Sequence, residues 1–461
     1  MKSSRFVLLT ILSLTLTFSL MGLGCKGGDP EAQTKASTKI TLNWWRINGQ
    51  TSDFADLVKN YQQIHPNINI KVTVVPAQQL EQKLLEALAA GQGPDLVSLL
   101  NSHLGAWQDK MAPLPATLTL PFREMQGFIK KEPTWVMRSN ATLNPKALPA
   151  LYVDTVPQDV IINNQIYGLP LSVDSLVMYY NRDLLNVAQI ATAPTTWTEF
   201  KTAVQKISLL DKNGKFIQHG AALGEADNLP YATDIVTALM LQNGTPMVNS
   251  QGSQAIFNQP VKSGDQQFIP GLDALRFYAD FANPSKETYS WSRQTGDAWQ
   301  TFASGKVGFI FGYFRDFKNL KQIAPKVNIG LASLPQIDDT TKPSNLANYY
   351  LETVPKQSNY QSEAWDFLQF VSKSNLLKDY LDKTKQPTAH RALLKEQLKD
   401  PDLTIAASQV LYSQNWYHGL KPEIMEGSLK AMIRQAVDGV DLEQALKYAA
   451  SQISQTLQNR R

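Results

Sequence analysis

Aromatic and polar side chains cluster at the ends of two predicted strands, ITLNWW from Ile40 and LVSLL from Leu96. Aromatic rings stack on the C–H faces of sugars, while amide, hydroxyl and guanidinium groups hydrogen-bond sugar hydroxyls. In open α/β sheets, ligands bind beyond the carboxyl ends of the strands. We therefore predict a saccharide or polyol site at these ends, formed by Trp44, Arg46, Gln50, Thr51, Asn101, Ser102 and His103.

A single carboxylate interrupts the apolar run GLPLSVDSLVMYY, residues 168–180. The run is short and rich in Leu, Val and Tyr, so it predicts a buried strand with a bend at Pro170. A buried carboxylate is costly unless it has a partner or faces a cleft. We predict that Asp174 contacts a ligand where the chain crosses between two lobes. The alternative is a buried salt bridge or a helix-capping role.

Four aromatic rings admit two interpretations. Trp44, Tyr231, Trp299 and Phe314 lie near predicted strand ends or helix starts. A ring at such a position either stacks on a ligand or fills the core, and most Trp and Phe side chains of folded proteins are buried. The sequence leaves both interpretations open for these four rings.

The sequence carries no pattern typical of a catalytic or metal site. The five histidines are scattered, none in an H-E-x-x-H arrangement, and neither G-x-S-x-G nor a Walker A motif occurs. Cys25 is the only cysteine, which excludes an internal disulfide and a cysteine metal cluster. We expect no catalytic residue, no metal and no cofactor. Paired carboxylates can lie far apart in a sequence, so an exported carbohydrate-active enzyme remains the alternative.

The charge balance argues against a nucleic-acid partner. From Cys25 onward 42 basic residues face 40 acidic ones, because Lys2 and Arg5 are the only basic residues before it. No long run of Lys or Arg supplies the clustered basic face that such binding requires.

The N-terminus predicts export. Two basic residues precede the apolar stretch 6–20, and small residues follow it, which is typical of a signal peptide over residues 1–24. A membrane span is the alternative, but the apolar run is a little short for one. The region before Cys25 resembles a bacterial lipoprotein signal, which implies a lipid on Cys25 and attachment to the outer face of the cytoplasmic membrane. Residues 25–39, rich in small and polar residues, predict a flexible tether.

The chain length and the element pattern predict two α/β lobes. A chain of 461 residues exceeds one ordinary core. Strand, helix, strand, helix and strand alternate over residues 40–100, which favours a mostly parallel sheet flanked by helices. Residues 107–157 show poor periodicity and predict peripheral helices and loops. Thr196 and Glu199 form a capping box ahead of a helix.

Five motifs, found in the family's order along the chain, resemble those of the extracellular solute-binding proteins of ABC importers, in the sugar-binding family that includes maltose-binding protein. The most specific part is IYGLPLSVDSLVMYYNRDLL, similar to the family's Y-G-x-P and Y-N-[KR]-D-L elements. The resemblance covers nearly the whole mature chain. Its motifs also include GQGPDLVSL, the segment from Pro194 to Phe200, FASGKVGFIFGYF, and AWDFLQF with the closing DGVDLEQALKYAASQI.

The resemblance implies a type II periplasmic-binding-protein-like fold, in which two lobes close on a ligand held in the cleft between them. The lobes would comprise residues 40–171 with 346–385, and 172–345 with 386–461. The family's crossing acid corresponds to Asp174, and its rings correspond to Tyr231 and to Tyr313 or Phe314.

By the same resemblance, the function is capture of a sugar or related polyol outside the cytoplasmic membrane and delivery to an ABC permease. The partners would be the small-molecule ligand, the permease subunits and the membrane, reached through lipid on Cys25. We expect a monomer. A ligand sensor of the same fold on the cell surface is a further alternative.

Overall fold

The computed structural model of the protein describes residues 29–47, 49–126 and 132–457. The predicted signal peptide and Cys25 lie outside the described residues. Within the described ranges, every helix is too short or too polar to cross a membrane.

Nineteen strands are present in the described part of the chain. They are β1 (Ile40–Arg46), β2 (Ile68–Val74), β3 (Leu96–Leu100), β4 (Met111–Ala112), β5 (Thr117–Gln126), β6 (Glu132–Ala141), β7 (Ile161–Ile162), β8 (Gln165–Ile166), β9 (Leu169–Pro170), β10 (Leu176–Asn181), β11 (Leu209–Leu210), β12 (Phe216–Ala221), β13 (Val261–Ser263), β14 (Gln266–Phe268), β15 (Val307–Tyr313), β16 (Ile329–Ser333), β17 (Asn345–Leu346), β18 (Tyr350–Pro355) and β19 (Ser413–Gln414).

The α-helices of the same ranges are α1 (Pro30–Ser37), α2 (Ala55–Ile64), α3 (Ala77–Ala89), α4 (Leu104–Trp107), α5 (Leu148–Leu151), α6 (Thr155–Val160), α7 (Arg182–Val187), α8 (Trp197–Ile207), α9 (Ala232–Gln242), α10 (Pro270–Ala279), α11 (Ala298–Ala303), α12 (Phe317–Ile323), α13 (Gln361–Val371), α14 (Ser374–Thr384), α15 (Arg391–Gln397), α16 (Thr404–Gln409), α17 (Pro422–Val437) and α18 (Leu442–Ser454). The strand, helix, strand, helix and strand predicted over residues 40–100 are confirmed in that order.

Two mixed sheets form the centres of the two lobes. In the first, β1 lies parallel to β2 and β3, while β18 runs antiparallel to β3, β4 and β9. In the second, β12 is parallel to β15, whereas β10 is antiparallel to both β15 and β16. The prediction of mostly parallel sheets is therefore wrong in this detail. The reason is that β10 and β18 enter their sheets from the other lobe rather than through a helical crossover within the lobe.

Each sheet has its own hydrophobic core. The first core holds Leu42, Trp44 and Val173 among many others, and the second begins with Leu176. The chain therefore changes lobe between residues 173 and 176, and again near the β17–β18 junction. The boundaries predicted from sequence stay a prediction. Ala389 and Leu393, which they assign to the second lobe, pack in the first core.

The segment predicted as a flexible tether is structured over residues 30–37. Helix α1 is capped by Asp29, whose side chain accepts a hydrogen bond from Glu31 N at 2.9 Å. It packs on the hairpin of β5 and β6 with Ala32 fully buried. Small residues are typical of a linker, but here Ala32 and Ala36 are buried and form the apolar face on which this helix docks.

The β5–β6 hairpin itself corrects the prediction of helices and loops for residues 107–157. Its two ten-residue strands pair along their whole length, from Thr117 with Ala141 to Gln126 with Glu132. Pro121 and Pro133 weakened the strand signal. Proline is tolerated here because the hairpin pairs with no further strand in the described structure.

Candidate ligand-binding cleft

The crossing segment between β9 and β10 carries Asp174 at the junction of the lobes. Its Oδ1 accepts hydrogen bonds from Ser175 N at 2.9 Å and Phe314 N at 3.1 Å, and its Oδ2 accepts one from Arg315 N at 3.0 Å. The Arg315 guanidinium lies 3.5 Å from Oδ2. The main-chain oxygen of Asp174 accepts from Asn348 N at 3.0 Å. Asp174 thus ties three chain segments together at the crossing.

Burial raises the pKa of Asp174 to about 6, and the neighbouring Arg315 opposes this rise. Most of the acceptor capacity of the carboxylate is used by backbone donors, so its first role is to hold the junction. The buried ion pair that sequence reasoning named as the alternative is therefore present. Asp174 also lines a cavity between the lobes, so the predicted contact with a ligand stays a prediction.

Two small cavities lie between the lobes, beside the crossing segments. We call one the arginine cavity; its main polar lining residues are Arg46, Ser172, Asp174, Arg315, Glu352 and Gln386. We call the other the aspartate cavity; its main polar lining residues are Asn101, Ser102, Asp234, Thr237, Asn348 and Asn415. Their volumes are about 50 and 40 Å³, far below the roughly 300–1,000 Å³ of ordinary ligand pockets. A sugar ring therefore enters only if the lobes move apart.

The arginine cavity is built on a buried ion pair of the first lobe. Arg46 donates from Nη1 to Glu352 Oε1, and its guanidinium lies 4.5 Å from the centre of the Phe54 ring and 5.0 Å from that of Trp44. The second carboxylate oxygen of Glu352 accepts from Trp44 Nε1 at 2.7 Å and from Ser98 Oγ at 2.9 Å. These contacts fix the guanidinium at the end of β1.

The aspartate cavity is centred on a carboxylate that sequence reasoning did not identify. Asp234 lies in the first turn of α9, where it is partly exposed to the cavity. Its Oδ2 accepts a hydrogen bond from Tyr313 Oη at 2.7 Å. The ring of Tyr313 contacts Tyr231 edge-on, with centroids 4.8 Å apart, and Tyr231 Oη donates to Asp316 at 3.2 Å. Tyr313 therefore orients an acceptor toward the cleft.

Burial raises the pKa of Asp234 to about 6, and the hydrogen bond from Tyr313 opposes this rise. Glu426 raises this pKa further and Arg315 lowers it. A raised pKa in the folded state means that the folded protein binds this proton more tightly than the unfolded chain does. The stability contributed by protonated Asp234 is therefore present near pH 4 and is lost as the pH rises through 6.

We expect Asp234→Asn to remove this pH dependence, because asparagine keeps an acceptor for Tyr313 but does not ionise. Two pKa units correspond to about 3 kcal/mol, so the variant should match the parent near pH 4 and exceed its free energy of unfolding by up to that amount above pH 6. Urea unfolding from pH 4 to 8 measures the difference. The exposed Asp379→Asn is the control. A constant difference between Asp234→Asn and the parent across the range would contradict the assignment.

The predicted binding residues fall into three groups. Arg46, Asp174, Asn101 and Ser102 line the two cavities. Buried in the lobe cores are Trp44 and Tyr313, both fully enclosed, and Phe314. The third group lies away from both cavities. In it, Gln50 and Thr51 are exposed, and His103 bonds to Glu81. Tyr231 and Trp299 are half-buried on the second lobe.

Trp44 and Tyr313 have no exposed surface in this arrangement of the lobes, so their predicted contact with a ligand stays a prediction. Trp44 points into the core because alternate residues of β1 face opposite sides of the sheet. Tyr231 is the only predicted residue with strained backbone, φ 55°, at the N-terminus of α9. Such strain clusters at functional positions.

Four side chains that line the cavities were not predicted from the sequence: Asp234, Arg315, Asn348 and Asn415. A carboxylate inside the otherwise apolar helix ATDIVTALML was a signal that could have identified Asp234. Asn348 and Asn415 lie on the later crossing segments, whose place at the cleft depends on pairing between distant strands. No local pattern marks them.

A larger concavity of about 480 Å³ lies elsewhere, on the outer face of the first lobe around α14 and α15. Its charged side chains pair with one another, as Lys385 does with Asp400 at 3.1 Å. It is open to solvent and contains no group from the second lobe. We therefore place the candidate site in the cleft.

Comparisons with known proteins agree with this architecture. Residues 48–374 match the family model described as bacterial extracellular solute-binding protein. The chain is 23% identical to the maltooligosaccharide ABC transporter solute-binding lipoprotein of Streptococcus pneumoniae (strain ATCC BAA-255 / R6), over 99% of both chains. It is 23% identical to the arabinooligosaccharide-binding protein of Bacillus subtilis (strain 168), over 79% of this chain and 75% of that protein.

Solved structures share the fold. The cyclic α-maltosyl-1,6-maltose binding protein of Arthrobacter globiformis superposes with a TM-score of 0.71 at 18% identity, covering 91% of this chain and 99% of that one. The predicted two-lobed fold is confirmed. Since the family model matches well over half of the sequence, the chain belongs to the bacterial extracellular solute-binding proteins.

Proposed function

We propose that the protein captures a saccharide or related polyol between its lobes and releases it to an ABC permease. The observation that supports this most directly is the pair of cavities at the crossing segments, each lined by hydrogen-bonding groups from both lobes. A ligand that contacts both walls favours the arrangement in which the lobes are together, so binding and closure are coupled. Related proteins named for oligosaccharide binding support the choice of ligand class.

We further propose that the protein works as a monomer outside the cytoplasmic membrane, attached by lipid on Cys25, and that it is not an enzyme. A relative of the same length is named a lipoprotein, which supports the attachment. The predicted binding residues Gln50, Thr51, His103, Tyr231 and Trp299 become relevant if the cleft opens beyond the two cavities. The lobe boundaries remain proposals, and the packing of Ala389 and Leu393 in the first core favours an end of the first lobe beyond residue 385.

The test is thermal and urea unfolding of the full chain, purified in detergent, against saccharides, polyols, amino acids and glycerol phosphates. A ligand that binds only the folded state at 100 times its Kd adds about 2.7 kcal/mol to the free energy of unfolding. We expect such a stabilisation from at least one saccharide or polyol. Stabilisation by another class alone would contradict the ligand assignment, and hydrolysis of an oligosaccharide would favour the enzyme.

A further inference from the structure

Two guanidinium groups from opposite lobes line the arginine cavity. Arg46 comes from the end of β1 in the first lobe, and Arg315 follows β15 in the second. Asn348 holds Arg315 through its main-chain oxygen, 2.7 Å from Nη1, and its side-chain oxygen, 2.8 Å from Nη2. The guanidinium also lies 4.2 Å from the centre of the Tyr313 ring. Both cationic groups are therefore fixed before any ligand arrives.

The carboxylates that pair with these arginines already use their acceptors elsewhere. Glu352 is bonded by Trp44 and Ser98 as well as by Arg46. Asp174 accepts from three backbone N–H groups in addition to its contact with Arg315. Each guanidinium has five N–H donors, more than these contacts use, and Tyr350 adds a hydroxyl group to the lining.

One of these donors is buried without a partner. The Arg46 side chain is only 7% exposed, and its Nε has no hydrogen-bond partner in the described structure. A buried donor left unpaired is costly, and a ligand acceptor reaches this nitrogen only if the lobes move apart. Arg46 and Arg315 are the only cationic side chains that line this cavity in the described structure. Ser172, which also lines it, donates a hydrogen bond to Gln386 at 2.7 Å.

We propose that the arginine cavity binds an oxyanion carried on the saccharide ligand, a carboxylate or a phosphate, between Arg46 and Arg315. This inference rests on the proposed function and names its substrate class. The planar guanidinium fork matches the two oxygens of a carboxylate or phosphate, which a single sugar hydroxyl does not. The volume of about 50 Å³ suits a small group of this kind rather than a sugar ring. The oxyanion would also join the two lobes, because one guanidinium belongs to each.

The experiment is calorimetric titration of the full chain at pH 7.5 with two matched pairs of ligands. Digalacturonate is compared with the neutral galactose disaccharide, and glucose 1-phosphate with methyl glucoside. We expect one charged ligand to bind at least tenfold more tightly than its neutral counterpart. The first pair reports a carboxylate and the second a phosphate.

The variant Arg315→Gln should reduce that preference to less than threefold, and Arg315→Lys, which keeps the charge without the fork, should give an intermediate value. The control is Arg293→Gln, an exposed arginine paired with Asp438 away from the cleft. Cooperative urea unfolding verifies that each variant folds. An equal affinity for the neutral and charged members of each pair would overturn the proposed oxyanion site and leave the proposed function standing. A preference that is unchanged in Arg315→Gln would have the same consequence. Failure of every saccharide, charged or neutral, to bind the folded protein would overturn both.

Discussion

Replacing Glu352 by alanine is expected to lower the free energy of unfolding by about 4 kcal/mol. The Glu352 side chain is 1% exposed and accepts hydrogen bonds from Arg46, Trp44 and Ser98. Its removal leaves the Arg46 guanidinium buried without its counter-charge and leaves two further donors unpaired. Breaking a buried ion pair from one side costs about 3–5 kcal/mol. Urea unfolding at pH 7 measures the change.

The matched control is Asp382→Ala, which breaks a surface pair with Lys378 in the same lobe. Both side chains are more than 40% exposed, so we expect a loss below about 1 kcal/mol. Equal losses in the two variants would contradict the account in which the buried pair supports the end of β1.

Replacing Gly105 by valine is expected to weaken ligand binding tenfold or more while leaving the midpoint of urea unfolding nearly unchanged. Gly105 lies in α4 of the first lobe, where an added Cβ would stand 2.6 Å from the carbonyl oxygens of both His418 and Gly419. Those residues follow the last crossing segment, where Leu420 N donates to Thr456 O of the second lobe at 2.9 Å and Asn415 Nδ2 donates to Asp159 of the first lobe at 3.0 Å. The substitution therefore opposes close approach of the two lobes at this point, and each 1.4 kcal/mol of strain that remains in the ligand-bound arrangement lowers affinity tenfold.

The control for this steric argument is Gly296→Val, because a Cβ at Gly296 meets no atom within 4 Å. Titration with the saccharide found in the unfolding screen compares the two variants with the parent. An affinity for Gly105→Val equal to that of the parent would show that binding does not require this contact between the lobes.

Elements with strong local patterns were predictable from the sequence. The alternating strands and helices between residues 40 and 100 follow from hydrophobic periodicity. The turn at Asn163 and Asn164 has φ values of 51° and 59°, as a tight hairpin between β7 and β8 requires. The capping box of Thr196 and Glu199 also forms, and it begins α8 at Trp197.

Features that depend on distant contacts were not predictable in the same way. Helix α1 is stable where it stands because the β5–β6 hairpin covers its alanines, and that hairpin lies about 80 residues later in the chain. The cleft shows the same limit. The positions of Arg46 and Asn101 at the ends of β1 and β3 correctly predicted that they line the cleft. Whether an aromatic ring at such a position faces the ligand or the core depends on packing. Trp44 faces the core because Phe54 and Phe367 contact its ring.

The place of Asp174 in the fold was predictable from the sequence, but its hydrogen-bond partners were not. Its presence in an apolar run predicted the crossing between lobes, and the crossing is where the structure places it. Its partners could not be anticipated, because Phe314, Arg315 and Asn348 lie 140 residues or more away in the chain. The carboxylate joins the segments about which the lobes would move.

Ligand binding is expected to draw the two lobes together about the crossing segments. Small-angle X-ray scattering of the protein with and without a saturating saccharide from the unfolding screen measures this closure. We expect the radius of gyration to fall on saturation in the parent and to fall less in Gly105→Val. A bound saccharide that leaves the radius of gyration of the parent unchanged would contradict capture by lobe closure.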